Sequence, residues 1–226
     1  MSPIAADSVV RTSAPRVPER VILVHGLYFG GRWLGFLARH LLRQGFSPSV
    51  YAYPSVRGTP AQASDALMKW LPDPMPARVH FVAHSLGGLV LRHLFGGAHS
   101  LSPGRVVTLG TPHRGSHVAG WMAGHGLGAL LGGANQIGLT GPVPEGPEGR
   151  ELGSLAGNVS LGLGRLLPGL PEPNDGTVAV AETWMRGMSD HITLPVTHTG
   201  MLFSREVAEQ CAAFLTQGRF RHGPAK

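Results

Sequence analysis

The stretch V-H-F-V-A-H-S-L-G-G-L-V, residues 79–90, decides how this chain reads. An apolar, β-branched run ends at Ala83-His84-Ser85-Leu86-Gly87, and a helical pattern starts at once. This is the context of a nucleophile elbow, a sharp strand-to-helix turn that lifts a serine hydroxyl above a sheet. Such a turn needs small residues two before and two after the serine, and Ala83 and Gly87 meet that need. Ser85 is then expected in a sparsely populated backbone conformation costing ~1–3 kcal/mol, tolerated only where the surroundings enforce it. The following helix directs its first N–H groups toward developing negative charge. Ala83 departs from the commoner glycine-first pattern, so the flanking strand and helix carry much of the weight.

Working outward, strands are expected at 21–24, 49–53, 78–83, 105–109, 151–158 and 191–197. Helices are expected at 32–44, 61–71, 86–95 and 205–215, where apolar residues recur at helical spacing. Strand–helix alternation at this tempo predicts an α/β fold, a mostly parallel sheet with helices on both faces. The 226 residues suit one domain, placed at 20–218, behind a loose arm at 1–19 that carries three prolines. Between 116 and 150 the alternation breaks into a stretch rich in glycine and proline, read as a cap-like insertion. Its Leu127, Leu130 and Leu131 suit either an acyl pocket or a helix packed on the core.

Composition narrows the function. The 33 glycines are roughly twice the usual share of about 7%, and the charged fraction of 14% is low, as in a compact domain with many tight turns. The formal charge is +6, carried almost wholly by arginine. The arginines are scattered, without a dense run or interleaved aromatics, which argues against a nucleic-acid site. A basic surface of this kind favours at most weak contact with anionic membrane lipid. One cysteine, Cys211, excludes an internal disulfide and sits in an apolar helical stripe, as a packed thiol would. The opening residues lack a basic, then apolar, leader pattern, so a cytoplasmic protein is expected.

Val24-His25-Gly26-Leu27 ends the first core strand. In an acyl-transfer site two backbone N–H groups hold the oxyanion, and removing one such donor costs ~3 kcal/mol. Leu86, after the serine, supplies one candidate N–H and Leu27 the other. His25-Gly26 is equally compatible with an ordinary strand-ending turn.

Together V-I-L-V-H-G-L, A-H-S-L-G-G and L-G-T-P-H-R-G-S, in this order, resemble bacterial lipases and esterases of the α/β-hydrolase superfamily. The alanine-first elbow is similar to that of small lipases with little or no lid, and the inositol-deacylase-like branch shares much of the motif set. The resemblance spans residues ~20–215 and implies an α/β-hydrolase fold. It implies a carboxylic ester hydrolase acting on a small-molecule or lipid ester through a catalytic triad, with no cofactor. An acyltransferase, thioesterase or amidase with the same triad, or a non-catalytic lipid-binding member of the fold, are the alternatives.

The superfamily's chain order is serine, carboxylate, histidine. Of the histidines beyond residue 100, His113 and His117 come too soon, His125 lies in the insertion, His191 starts the last strand and His222 lies in the tail. His198 follows the last strand, where a base must hang. For the acid, Asp175 in P-N-D-G-T-V resembles the acid loop of the lipases. Asp190 is its competitor, beside the last strand, and Glu172 and Glu182 are weaker candidates. His113 and His117 are spaced i, i+4 but lack the glutamate of a zinc protease, so no metal site is expected.

Overall fold

The computed structural model describes residues 17–97, 101–134, 139, 143–146, 149–161 and 169–223. Six strands are described: β1 (Arg20–Val24), β2 (Ser47–Tyr51), β3 (Val79–His84), β4 (Val106–Leu109), β5 (Leu152–Gly157) and β6 (Asp190–Leu194). Five α-helices accompany them: α1 (Gly35–Arg43), α2 (Pro60–Trp70), α3 (Leu86–Gly96), α4 (His117–Gly124) and α5 (Arg205–Gln217). The sheet order is β2-β1-β3-β4-β5-β6, and every pairing is parallel. The expected architecture is therefore present, with the described sheet wholly rather than mostly parallel.

Side-chain alternation along each strand divides the core in two. Val21 and Leu23 of β1, Val107 and Leu109 of β4 and Leu155 of β5 pack with Leu37 and Leu41 of α1 and Val207, Cys211 and Phe214 of α5. Their neighbours Ile22, Val24, Phe81, Val106 and Leu152 pack with Leu67 of α2 and Leu91 and Leu94 of α3 on the other face. Cys211 lies inside the first layer, and its burial pushes the thiol up to about 12, so it acts as a small hydrophobe. Among the described residues, no helix is long and apolar enough to cross a membrane.

Local chemistry sets the element ends. At α2 the Thr59 hydroxyl accepts from the Gln62 amide at 3.2 Å and the Gln62 side chain accepts from the Thr59 amide at 3.0 Å, with Pro60 at the first helical position. α5 starts under Ser204, whose hydroxyl accepts from the Val207 amide, and stops at Gly218 with φ 76°.

Three strand boundaries differ from expectation by two or more residues, each for a physical reason. β2 begins two residues early because the turn at Gly45 (φ 88°) brings Ser47 opposite Arg20. It also ends early, since the Tyr53 amide donates to His25 Nε2 instead of a strand partner. β6 stops at Leu194, ahead of Pro195, which has no N–H to continue a ladder.

The helix expected at 32–44 splits into a 3-10 turn, Gly31–Leu34, and α1. In the expected insertion, 116–150, α4 is followed by a 3-10 segment, Gly128–Ala134, kinked at Gly132 (φ 57°). The remainder of the expected arm, 1–16, and residues 135–138, 140–142 and 147–148 of the insertion lie outside the described residues.

Candidate active site

The chain order places a topological switch between β1 and β3, because the chain leaves β1 for one edge and returns on its other side. Ligands of open parallel sheets bind at the carboxyl ends of strands flanking such a switch. The loop carrying Leu27 follows β1, and Ser85 follows β3.

Ser85 occupies φ 52°, ψ −123°, one of two described non-glycine residues at positive φ. The surroundings hold it there. Its N–H donates to the Leu109 carbonyl at 2.8 Å, and its carbonyl accepts from the Thr111 hydroxyl at 2.9 Å and the Gly88 amide at 3.0 Å. The expected small residues are present, though Gly87 is required for a different reason than crowding against Ala83. A Cβ on Gly87 would sit 2.6 Å from the Val24 carbonyl oxygen and 2.7 Å from that of His25. The end of β1 thus lies across the first turn of α3. Gly26 is constrained in turn, since a Cβ there would come within 2.9 Å of Ser85 Cβ. His25-Gly26 is therefore more than a strand-ending turn: only glycine lets the β1 loop pass the serine so closely.

Leu27 and Leu86 are brought to the same small cluster, with Leu89, Ala119, Leu131 and Leu139. The first amides of a helix have no acceptor within it, so the N–H of Leu86 is free to face a ligand. Tyr28, at φ 62°, redirects the chain just after Leu27, and its hydroxyl donates to the Leu130 carbonyl.

Asp175 and His198 meet although 23 residues separate them. His198 Nδ1 lies 2.7 Å from Asp175 Oδ2, and because a carboxylate only accepts, Nδ1 carries the proton. Asp175 Oδ1 accepts from the amides of Thr177 and Val178 at 2.9 and 2.7 Å. The His198 amide donates to the Asp175 carbonyl at 2.9 Å, so backbone and side chain lock the two loops together. Both residues are buried. Two glycines leave the room: a Cβ on Gly110 (φ 56°) would fall 3.0 Å from His198 Nδ1, and one on Gly157 2.9 Å from Asp175 Cβ.

Gly110 directly follows Leu109, the acceptor of the Ser85 amide, so serine, histidine and aspartate share one corner of the sheet. Among the described residues, no hydrogen bond joins the Ser85 hydroxyl to His198.

Asp190 is elsewhere. It opens β6, where its Oδ2 accepts from the Phe220 amide at 2.7 Å and its Oδ1 lies 2.9 Å from His222 Nε2. Glu182 accepts from the amides of His117 and Ala179 and closes a local turn. Glu172 precedes Pro173 in the loop leading to Asp175. Among the described residues, no cluster of three histidine, cysteine or acidic side chains could hold a metal.

Sequence reading missed His84. Its Nε2 donates to the His198 carbonyl at 3.0 Å, and its ring packs 4.7 Å from the His198 ring and edge-on to Phe29 at 5.5 Å. Complete burial, reinforced by neighbouring His198, holds its pKa well below the ordinary value, so it stays neutral. The signal was the residue type before the serine, but its partner lies 114 residues away. His113 is also buried and neutral. Its Nε2 lies 3.0 Å from the Thr108 hydroxyl, and burial, then Arg92, push its pKa down to about 3.

These two histidines contribute to an acid limit on stability, as do His25, His80, His93 and His191, whose pKa values burial also lowers. Their folded pKa values lie below the ordinary 6.5, so beneath pH 6.5 the unfolded chain binds protons that the folded chain does not. Their stabilisation is complete above that pH and is lost as pH falls toward the folded values. Each removes up to ~1.4 kcal/mol per pH unit. Melting curves at pH 7.5, 6.0 and 5.0 should show a falling midpoint, with a shallower slope in His113→Asn. A midpoint independent of pH over this range would contradict it.

No protein-family model matches the chain, and no curated protein does. Solved structures match over most of its length. The mature lipase BlEst2 of Bacillus licheniformis superimposes with a TM-score of 0.68 at 18% identity, covering 92% of this chain and 95% of that one. The chain spans 54% of the propeptide form of the same lipase. A metagenomic carboxyl esterase matches with a TM-score of 0.59 at 20% identity, over 80% of this chain and 65% of the esterase. The RedJ thioesterase of Streptomyces coelicolor matches at 0.56 and 14%, over 96% of each chain. The chain has the α/β-hydrolase fold.

Proposed function

We propose that this protein is a serine hydrolase of carboxylic esters, a lipase-like carboxylesterase, working through an acyl-enzyme on Ser85. The reading rests on one observation above all: the hydrogen bond of 2.7 Å between Asp175 and His198, at the sheet corner that also carries the strained Ser85. Ser85 Oγ attacks the acyl carbonyl while His198 Nε2 removes its proton and then protonates the departing alcohol. Asp175 fixes the ring with Nδ1 protonated and stabilises the imidazolium. The amides of Leu27 and Leu86 hold the oxyanion. Water, activated by His198, then attacks the acyl-enzyme and releases the acid.

The surroundings favour an apolar ester. Phe29, packed on His84, meets Trp33 edge-on at 5.3 Å, and Trp33 meets Phe203 at 5.8 Å, forming an aromatic file from the site to the surface. A fluorophosphonate probe should label the wild-type protein at Ser85, and p-nitrophenyl esters of graded length should be turned over. Absence of both would overturn the reading. Faster turnover of thioesters or amides than of matched esters would move it to a thioesterase or an amidase.

The insertion sets chain-length preference through two leucines. Leu127 and Leu130 are 41% and 55% exposed, whereas Leu131 is 5% exposed and packs with Leu86 and Leu89. The alternatives open in the sequence thus divide between neighbours. Leu127→Ser with Leu130→Ser should shift preference toward short acyl esters by ~5–150-fold for each leucine that meets the acyl chain, since each apolar contact discriminates by ~1–3 kcal/mol. Leu131→Ser should lower the melting temperature and every ester activity in parallel. An unchanged ranking in the double variant would remove the insertion from acyl selection.

A further inference from the structure

One cavity among the described residues lies away from Ser85. It has a volume of about 670 Å³ and lies along the α3 face of the sheet, reaching to Arg150 and Glu151 just before β5 and Ser189 just before β6. At its other end the cavity reaches His113 and Arg114, in the loop after β4, and none of Ser85, Asp175 and His198 lines it. Its volume is that of a small-molecule site, ~300–1,000 Å³.

Four guanidinium groups, of Arg92, Arg114, Arg150 and Arg186, line this cavity. Among the described residues none of the four has a carboxylate within ion-pair distance. Two of them are structural. Arg92 donates to the carbonyls of Pro144, His113 and Val143, pinning the end of the insertion to α3. Arg150 donates to Ser102 and lies over the Phe95 ring at 5.1 Å.

Arg92 is buried and Arg150 partly buried, and burial lowers their pKa values. Arg114 and Arg186 are exposed at the rim and make no side-chain hydrogen bond among the described residues. Of the two carboxylates present, Glu151 is held by Arg105 at 2.5 Å, and Glu145 is exposed and offsets only part of the positive charge. Trp184 and Met185 supply an apolar wall, with the indole stacked on His191 at 4.5 Å.

We infer that this cavity is a binding site for a small anion carrying an aromatic or flat apolar group, separate from the ester-cleaving site. Net positive charge in a pocket attracts an oxyanion, guanidinium forks match carboxylate and phosphate geometry, and the Trp184 face takes a ring. Arg114 and Arg186 grip the ligand, while Arg92 and Arg150 shape the wall and add field.

The test is calorimetric titration of the intact protein with phenyl phosphate, inorganic phosphate and phenol. Phenyl phosphate should bind most tightly, inorganic phosphate more weakly, and phenol least. Arg114→Gln with Arg186→Gln should weaken phenyl phosphate binding at least tenfold without moving the melting temperature of the free protein. Trp184→Leu should narrow the gap between phenyl phosphate and inorganic phosphate. Ser85→Ala should bind as wild type does, which keeps this test independent of the hydrolase reading. No binding of either anion at millimolar concentration would overturn the inference. So would unchanged affinity in the double arginine variant, or phenol binding as tightly as phenyl phosphate.

Discussion

Ser85→Ala is expected to remove ester hydrolysis, with kcat falling by up to ~10⁶, while the fold survives. The substitution deletes one oxygen. The groups that hold the turn are the Ser85 amide on Leu109 and its carbonyl under Thr111 and Gly88, all of which alanine keeps. The positive φ of 52° strains alanine much as it strains serine, so the melting temperature should move little. Fluorophosphonate labelling should vanish with the activity. A folded variant that retains activity within tenfold of wild type would remove Ser85 from the chemistry, whatever the conformation of its turn.

What the sequence revealed depended on how local each feature's cause is. The elbow was legible because strand, small residues and helix are contiguous, and β1, β3, β4 and α3 follow from short apolar runs bounded by turns. The order of layers followed from alternation alone. The start of β2 shifted because it depends on a partner, Ser47 opposite Arg20, whereas the early end of β6 follows from Pro195, whose missing N–H is a local signal that the sequence does carry.

Gly26 and Gly87 read as turn and helix glycines, yet both are demanded by β1 and the elbow meeting across about 60 residues. His84 and His198 are farther apart still. The three leucines of the insertion are indistinguishable by composition, and only the kinked segment around Gly132 decides which one is buried. The arginine-lined cavity gave no signal at all, since Arg92, Arg114, Arg150 and Arg186 belong to four separate segments.

The choice between Asp175 and Asp190 gives the second large effect. Asp175→Asn should lower kcat by ~10⁴-fold with little loss of stability. The reason lies in the two ends of the carboxylate. Oδ1 accepts from two backbone amides, of Thr177 and Val178, so an asparagine must keep its oxygen there. Its NH₂ group then faces His198 Nδ1 across the former 2.7 Å bond. Two donors cannot share that bond, so Nδ1 gives up its proton and Nε2 takes one. An imidazole with Nε2 protonated cannot remove a proton from Ser85, and a neutral amide cannot stabilise the imidazolium. Asp190→Asn should show the reverse pattern. Its carboxylate ties β6 to the tail through the Phe220 amide and His222, so the variant should melt earlier but turn over esters at nearly the wild-type rate. Steady-state kinetics and melting curves on both variants decide the matter. A ~10⁴-fold loss at Asp190 with near-normal activity in Asp175→Asn would mean that the bond to His198 orients a ring that is not the base.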